Sequence, residues 1–478
     1  MEIRNLEPRE VFFYFEEIAK IPHGSGNTQV ISNYLVSFAK ERKLEHYQDE
    51  LGNVIIIKEA SKGYEDREPV MLQGHMDMVA VKKPDSKIDM KTEGLTLMTE
   101  GDWLFAKDTS LGGDDGIAVA YELALLEAED LEHPRLECVF TVDEEIGLLG
   151  AKAIDVSMCK AKRMINIDSE EEGIFLTGCA GGMRVDCHLP LEKEEKKGIL
   201  VTLKIGGLQG GHSGVEIHKE RGNSNVLMGR FLAGAAKNTS LYLSKLQGGL
   251  ADNAIPRETR AEFLVEETGT VEDLVKRLEK ELKCELATKD PGVYCELEIQ
   301  GEQILPVVTK EETKKAAALL YCLPQGVQAM SADVKGLVET SLNMGLLSLK
   351  EDGLHAGFSV RSSLESAKYA LEEKLYVLTE SLGGSCKTTG DYPGWAYRVD
   401  SPLRELMLRI FKEKYGKEPV VEAIHAGLEC GFFLDKIPQL DCVSMGPDMK
   451  DIHTTEEKMS ISSVKRVWEY LVEVLKQA

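Results

Sequence analysis

The chain has 478 residues, of which 43% are apolar and 29% charged, and its formal net charge is −24 at pH 7. That length implies two to three domains with ample chain to bury a core. So negative a chain is a poor candidate for nucleic-acid binding, because phosphate affinity rests on clustered Lys and Arg.

Residues 9–20 and 28–43 repeat apolar positions at helical spacing. Two strand-like runs follow, Asn53 to Ile57 and Val70 to Leu72. A helix is predicted from Gly116 to Glu127, where Ile117, Val119, Ala120, Leu123 and Leu125 form an apolar stripe. Next come a strand ending at Val142, a short helix after Gly147, and a strand over 163–167. Strands alternating with helices predict a mixed, mainly parallel sheet covered by helices on both faces, an α/β class.

Near residue 190 the texture changes. The run 191–198 reads as a charged turn, and the strands beyond it alternate more openly. A weak repeat appears in this region, since 261–265 and 356–360 each precede a helical pattern after a similar gap. Either the similarity is chance or the region holds two copies of a small ferredoxin-like α+β unit. A Gly- and Thr-rich passage at 383–390 then leads to predicted helices over 402–415 and 462–476. The expected organisation is a sheet domain formed by 1–187 and 390–478, interrupted by an inserted α+β domain over 188–389.

None of the ten cysteines forms a C-x-x-C pair, so neither a zinc ribbon nor a redox dithiol is indicated. The start, Met1-Glu2-Ile3-Arg4-Asn5, lacks the apolar core of a signal peptide. No stretch reaches the roughly 18 apolar residues of a membrane span. The expectation is a cytoplasmic protein with free thiols and no membrane partner.

The apolar runs end in chemistry. Val70 to Leu72 leads into Gly74-His75-Met76-Asp77, and 136–142 leads into Asp143-Glu144-Glu145. Ligands collect at the carboxyl ends of strands in open α/β sheets, and residues two apart on a strand face one side, which pairs His75 with Asp77. Asp114 and Asp115 lie in a Gly-rich turn before a helix, where a plain helix cap is the simplest use of Asp. Asp168 follows another strand, and His453 stands near the end of the chain. Jointly, His75, Asp114, Glu145, Asp168 and His453 supply two imidazoles and three carboxylates, a set suited to Zn²⁺ and tolerant of Mn²⁺ or Co²⁺. Two ions about 3.5–4 Å apart would need one bridging carboxylate. Glu144 and Glu145 are adjacent, so one as ligand and the other as proton carrier is the economical division. Asp77 would steady the His75 ring.

The segments GHMDMV, TSLGGDDGIA, FTVDEEIGLLGA, INIDSEEEG, GLQGGHSG, NAIP, HAGLECG and DIHTTEE, in this order over nearly the whole chain, resemble the M20 family of metallopeptidases. Within it the resemblance is to the aminoacyl-histidine dipeptidase branch of cytosolic non-specific dipeptidases. It implies hydrolysis of dipeptides, Xaa-His among them, by a water activated between two metal ions. His75 and Asp168 would hold one ion, Glu145 and His453 the other, and Asp114 would bridge. Glu144 would be the general base and later the acid, and Asp77 the aspartate behind the ligand. A cis peptide is implied after Asp114.

The inserted domain, 188–389, resembles the family's lid over a catalytic domain formed by 1–187 and 390–478, and the resemblance implies that His212 stabilises the oxyanion and that Asn253 assists by hydrogen bonding. Arg361 is a candidate clamp for the substrate carboxylate, because a guanidinium fork matches that group. Glu429 is a candidate receiver for the substrate's amino terminus. Whether His212 acts within its own chain or across a homodimer is open. Rival readings are another amidohydrolase of the family, such as an N-acyl amino acid deacylase or a tripeptidase, and a non-catalytic peptide-binding protein on the same fold.

Overall fold

A computed structural model describes residues 3–478 of the chain. It divides into two compact units. The first comprises residues up to Gly178 with Tyr397–Ala423 and Leu428–Ala478, and the second comprises Cys179–Ala396 with Ile424–Gly427.

The first unit is built on an eight-stranded sheet. Its order is Glu45–Gln48, Val54–Lys58, Leu136–Thr141, Val70–His75, Arg163–Asn166, Asp441–Ser444, Ile174–Cys179 and Val420–Ile424. The centre is parallel: Val70–His75 pairs in parallel with Leu136–Thr141 and Arg163–Asn166, which pairs in parallel with Asp441–Ser444. The flanks are antiparallel. Every residue of Val70–His75 and Leu136–Thr141 is buried, as expected for strands covered on both faces. That is why they read as continuous apolar runs rather than alternating ones.

Helices supply the cover. Arg9–Ala19 buries Val11, Phe12, Phe15 and Ile18 on one stripe. Ile461–Gln477 buries Val464, Val467, Leu471, Val474 and Leu475, the same i, i+3, i+4 pattern. Its first turn is fixed by Ser460, whose side chain accepts the Ser463 N–H, a favoured N-cap arrangement. The helix Gly113–Glu127 is buried along nearly its whole length. Among the described residues, no helix is long and apolar enough to cross a membrane.

The second unit carries a nine-stranded antiparallel sheet with helices packed on it. Two β-α-β-β-α-β units, the ferredoxin-like order, supply eight of its strands, and Gly326–Met330 adds the ninth beside Val338–Leu349. One is continuous: Lys193–Gly206, helix Ser224–Asn238, Leu241–Gly248, Thr259–Val265, helix Gly269–Glu285 and Tyr294–Val308. The other begins with Gly181–Leu189 and resumes with helix Lys310–Cys322, Val338–Leu349, Leu354–Ser362, helix Glu365–Ser381 and Ser385–Tyr392. The first copy is therefore nested between the first strand and first helix of the second. The copies join edge to edge where Gln247 and Gly248 pair with Ser348 and Leu347.

Two details depart from the sequence reading. Most of the charged run 191–198 is strand, since Lys193 to Gly198 pair with Val308 to Gln303. That ladder is largely exposed, so charge on both faces does not oppose strand formation. The chain enters the second unit at Cys179 and leaves it after Ala396, nine and seven residues outside the expected edges at 188 and 389. The reason is that Gly181–Leu189 is already the first strand of the inserted sheet.

Candidate metal centre

The carboxyl ends of the central strands gather the acidic and imidazole residues. Strand Val70–His75 ends on His75, and Asp168 follows strand Arg163–Asn166 by two residues. Gly74 is needed for this approach: a Cβ there would lie 2.4 Å from the Ala118 Cβ and 2.6 Å from Asp115 Oδ2. His75 is 1% exposed. Its Nδ1 lies 3.0 Å from the Asp77 carbonyl oxygen and 3.4 Å from Asp77 Oδ1. With Nδ1–H facing that carbonyl, Nε2 is the nitrogen available to a cation.

Asp114 divides its carboxylate between two neighbourhoods. Its Oδ1 lies 3.0 Å from His75 Nε2, which Asp168 Oδ1 also approaches at 3.6 Å. Its Oδ2 lies 3.1 Å from His453 Nε2, which stands 2.8 Å from Glu145 Oε1. The latter contact lacks hydrogen-bond geometry, and Glu145 Oε1 is otherwise a buried oxygen without a partner. Two sets result, each with donor atoms mutually within 4.8 Å: His75, Asp114 and Asp168, and Asp114, Glu145 and His453.

The helix-cap use of this turn is not what the structure holds. Gly112 occupies the cap position, Asp114 and Asp115 have non-helical backbone angles, and no side chain caps the helix. The Asp114–Asp115 peptide is cis. Asp115 turns inward, and its Oδ2 accepts the His75 backbone N–H at 3.2 Å. The preceding turn is held by Glu457, 3% exposed. Its two oxygens accept the backbone N–H groups of Leu111, Gly112 and Gly113 at 2.8, 3.2 and 2.8 Å.

The electrostatics call for positive charge. Burial alone would raise Asp114, but hydrogen bonds from His453 and His75 outweigh it and hold the carboxyl below the usual range. Burial raises Asp168 to about 6 against the pull of His75. Burial would lower His75, yet its contacts with Asp114, Asp168 and Asp77 push it well above an ordinary histidine. His453 rises to about 10 through its contacts with Asp114 and Glu145. Three carboxylates surround two imidazoles, and imidazole nitrogens face carboxylate oxygens across gaps that a divalent ion could span. This donor set fits two such ions.

Glu144 sits beside the set, anchored through its backbone. Its N–H donates to Asp77 Oδ1 at 3.0 Å, and the Glu145 N–H reaches Asp77 Oδ2 at 3.4 Å. Ser25 Oγ donates to Asp77 Oδ2 at 2.8 Å. Burial would raise Asp77, but its contacts with His75, Ser25 and Glu144 keep it low and ionised. The Glu144 carboxyl goes the other way: burial pushes it well up, His75 opposes, and Asp168, Glu429 and Glu145 add to the rise.

Glu429 is fully buried. Its Oε2 accepts from Gln73 Nε2 at 2.5 Å and Thr141 Oγ1 at 2.6 Å, and its Oε1 has no partner. Gln73 Oε1 in turn accepts from Asn166 Nδ2 at 2.7 Å, which makes a connected polar layer within the sheet.

The second unit holds the other candidates. His212 pairs with Ala254 in a two-residue ladder, and the Ser213 N–H donates to the Asn253 carbonyl at 2.8 Å. His212 Nδ1 accepts the N–H groups of Gly214 and Val215 at 3.1 and 3.3 Å, so the ring proton belongs on Nε2. Burial, then the nearby Arg361, lower its pKa and favour the neutral ring. The loop carrying Asn253 is pinned by Asn343, whose Nδ2 donates to the carbonyls of Asp252 and Ala254 at 3.1 and 2.9 Å. The Asn253 side chain itself is exposed. Arg361 Nη1 donates to Tyr392 Oη at 3.2 Å, while its Nε is buried without a partner.

Sequence reasoning singled out neither Glu457 nor His425. His425 is buried with its Nε2 2.7 Å from Ser341 Oγ, and burial with Arg361 lowers its pKa to about 3. Both lie inside segments quoted for the family resemblance, and that placement was their only signal. Thr141 shares that signal, since it lies inside FTVDEEIGLLGA, whereas Gln73 gave none beyond being a polar residue in an apolar strand.

A dinuclear-type acidic and imidazole cluster at the carboxyl ends of the parallel strands at the centre of a mixed sheet defines a metallohydrolase class of site. The comparisons narrow it: residues 71–477 match the model of peptidase family M20/M25/M40, and the chain belongs to that family. It is 36% identical over 480 residues to the cytosol non-specific dipeptidase of Escherichia coli (strain K12), covering 100% of this chain and 99% of that protein. The crystal structure of aminoacylhistidine dipeptidase from Vibrio alginolyticus superposes with a TM-score of 0.95 at 34% identity, covering 100% of this chain and 98% of that one. Aminopeptidase PepT from Bacillus cereus, at 15% identity and a TM-score of 0.57 over 99% of both chains, shares the fold.

Proposed function

We propose that the protein is a metal-dependent dipeptidase that cleaves the amide bond of unblocked dipeptides, Xaa-His among them. The observation that carries this reading is the division of Asp114 between the His75/Asp168 and His453/Glu145 groups. The full-length similarity to two dipeptidases supports it.

His75 and Asp168 would hold one divalent ion, Glu145 and His453 the other, and Asp114 both. Zn²⁺ suits this mixture best, with Mn²⁺ or Co²⁺ as alternatives. Such ions, when bound, acidify a water between them and polarise the scissile carbonyl. Glu144 takes the proton from the attacking water on a carboxylate oxygen and returns it to the leaving nitrogen. Asp77 keeps the His75 ring and the Glu144 backbone in register. In the second unit, His212 offers an Nε2–H donor suited to a developing oxyanion. Arg361 offers an unpaired Nε suited to a carboxylate, and the exposed Asn253 amide a further hydrogen bond. Glu429 Oε1 is the atom left to receive an ammonium. The reading carries a cytoplasmic location with it, in keeping with the "cytosol" of the Escherichia coli relative's name.

Zinc-loaded protein assayed against free Xaa-His dipeptides, N-acetyl amino acids and tripeptides tests the reading. Hydrolysis of free dipeptides, lost on chelation and restored by metal, is expected. Preferential cleavage of blocked amino acids would replace it with a deacylase, of tripeptides with a tripeptidase. Metal binding without any hydrolysis would favour a peptide-binding role.

A further inference from the structure

A second imidazole and carboxylate cluster lies in the second unit. His188 and His355 are direct cross-strand neighbours on the antiparallel strands Gly181–Leu189 and Leu354–Ser362. Their rings stack with centroids 4.6 Å apart and planes 28° from parallel. Both Nε2 atoms turn toward Asp352, in the turn before the second strand. His355 Nε2 is 2.9 Å from Asp352 Oδ1, and His188 Nε2 is 3.7 Å from Oδ2 and 3.1 Å from the Asp352 carbonyl oxygen.

The turn is shaped for this approach. Gly353 has φ of 141°, and a Cβ there would stand 2.2 Å from the Leu189 carbonyl oxygen. Lys193 Nζ holds the same turn by donating to the Lys350 carbonyl at 2.9 Å. All three side chains retain solvent access, at 31%, 29% and 62% for His188, His355 and Asp352. Water can therefore complete a coordination shell.

An ordinary cross-strand stack with a hydrogen-bonded aspartate is the plainer use of such a cluster. Two features go beyond it. Both imidazoles present the same nitrogen to one carboxylate, and the three donor atoms lie within 4.8 Å of one another. Donors at about 2.0–2.1 Å on one tetrahedral ion sit roughly 3.4 Å apart. His355 Nε2 to Oδ1 at 2.9 Å and His188 Nε2 to Oδ2 at 3.7 Å lie on either side of that spacing, one carboxylate oxygen facing each imidazole. Two imidazoles select zinc, nickel or copper over the oxygen-seeking magnesium and calcium. Cys187, next along the strand, points to the opposite face and pairs across to Cys386, so no thiolate joins the set.

We propose that His188, His355 and Asp352 form a third divalent-metal site, of the zinc, nickel and copper class, that clips the 350–353 turn to strand Gly181–Leu189. The ion ties the first strand of the interrupted ferredoxin-like copy to the hairpin it meets only after the nested copy. Binding the folded form alone, it stabilises this unit by mass action.

The test counts ions and does not depend on the peptidase reading. Full-length protein and the H188N/H355N variant are equilibrated with micromolar free Zn²⁺, and bound zinc is measured by mass spectrometry. The unaltered protein is expected to keep one zinc equivalent more than the variant, and excess Mg²⁺ is expected to leave that ion in place. Both proteins should hydrolyse substrate equally. Equal zinc content, or an extra ion that Mg²⁺ displaces, overturns the proposal. Cu²⁺ added to the zinc-loaded proteins gives a second readout: nitrogen hyperfine coupling from two imidazoles in the unaltered protein and not in the variant. Identical copper spectra from the two overturn it as well.

Discussion

Asp77 Oδ1 accepts the backbone N–H of Glu144 at 3.0 Å and lies 3.4 Å from the His75 ring nitrogen that faces away from the cluster. One residue thus orients a proposed metal ligand, through its carbonyl oxygen with the carboxylate close behind, and positions the proposed general base through its carboxylate. Asp77→Asn keeps the shape but replaces an acceptor with an amide that can turn its donors toward the Glu144 N–H. Partners behind metal ligands typically contribute about 10–100-fold to affinity or activity. Loss in that range is expected in both metal affinity and kcat, measured by competitive chelator titration and steady-state kinetics. An effect on only one would separate the two jobs.

Glu144→Ala removes the proton carrier and none of the proposed ligands. Turnover is expected to fall by at least the ~10²–10⁴-fold typical of positioned acid–base groups, with metal content unchanged. Kinetics and metal analysis on the same preparation check this, and full activity would remove Glu144 from the mechanism.

Glu457→Ala should act at a distance from any reacting atom. Three backbone donors of residues 111–113 would lose their acceptor. Each buried, unsatisfied group costs about 1–3 kcal/mol, so a destabilisation of several kcal/mol is expected, together with weaker metal binding as Asp114 loses its support. Denaturant unfolding and metal titration measure the two effects. Glu457→Gln, which retains one acceptor oxygen, should fall between.

Arg361→Ala should raise KM for dipeptides bearing a free carboxylate. A hydrogen bond to a charged group contributes about 1.5–3 kcal/mol, which corresponds to roughly 10–100-fold. C-terminally amidated dipeptides should show little change, and equal losses on both substrates would place Arg361 elsewhere.

His425 predicts an acid limit to stability. Burial and then Arg361 lower its folded-state pKa from 6.5 to about 3, so the unfolded chain binds this proton first. Its contribution is fully present above pH 6.5 and is lost progressively as pH falls toward 3. Urea unfolding at pH 7 and pH 5 should show a smaller drop for His425→Asn than for the unaltered protein. Parallel drops would show that this imidazole does not titrate on unfolding.

Much of this was legible in the chain because the central strands are buried on both faces. Continuous apolar runs ending in His75, in Glu144 and Glu145, and before Asp168 mark both a strand and where it stops. Asp114 was ambiguous, since an acid in a glycine-rich turn before a helix is equally good as a cap. Only its two-sided contact with His75 and His453 distinguishes the uses. Glu457 was illegible for a different reason: it acts on backbone groups more than 340 residues away, with no side-chain pattern at the receiving end. The charged strand at 193–198 defeated polarity reasoning because its ladder is exposed. His425 was passed over because a residue buried by a four-residue return, Ile424–Gly427, has no periodicity to reveal it.

The nesting of one ferredoxin-like copy inside the other has a consequence for the newborn chain. Strand Gly181–Leu189 leaves the ribosome well before its two neighbours, Leu354–Ser362 and Ser385–Tyr392. At about 5–20 residues per second, it waits on the order of ten seconds for the first of them. Meanwhile the copy spanning 193–308 has all its strands and can close. Both edges of Gly181–Leu189 stay unpaired over that interval, an invitation to pair with another chain. Its charged and polar positions, Arg184, Asp186 and His188, alternate along one face and make that premature partnership less attractive.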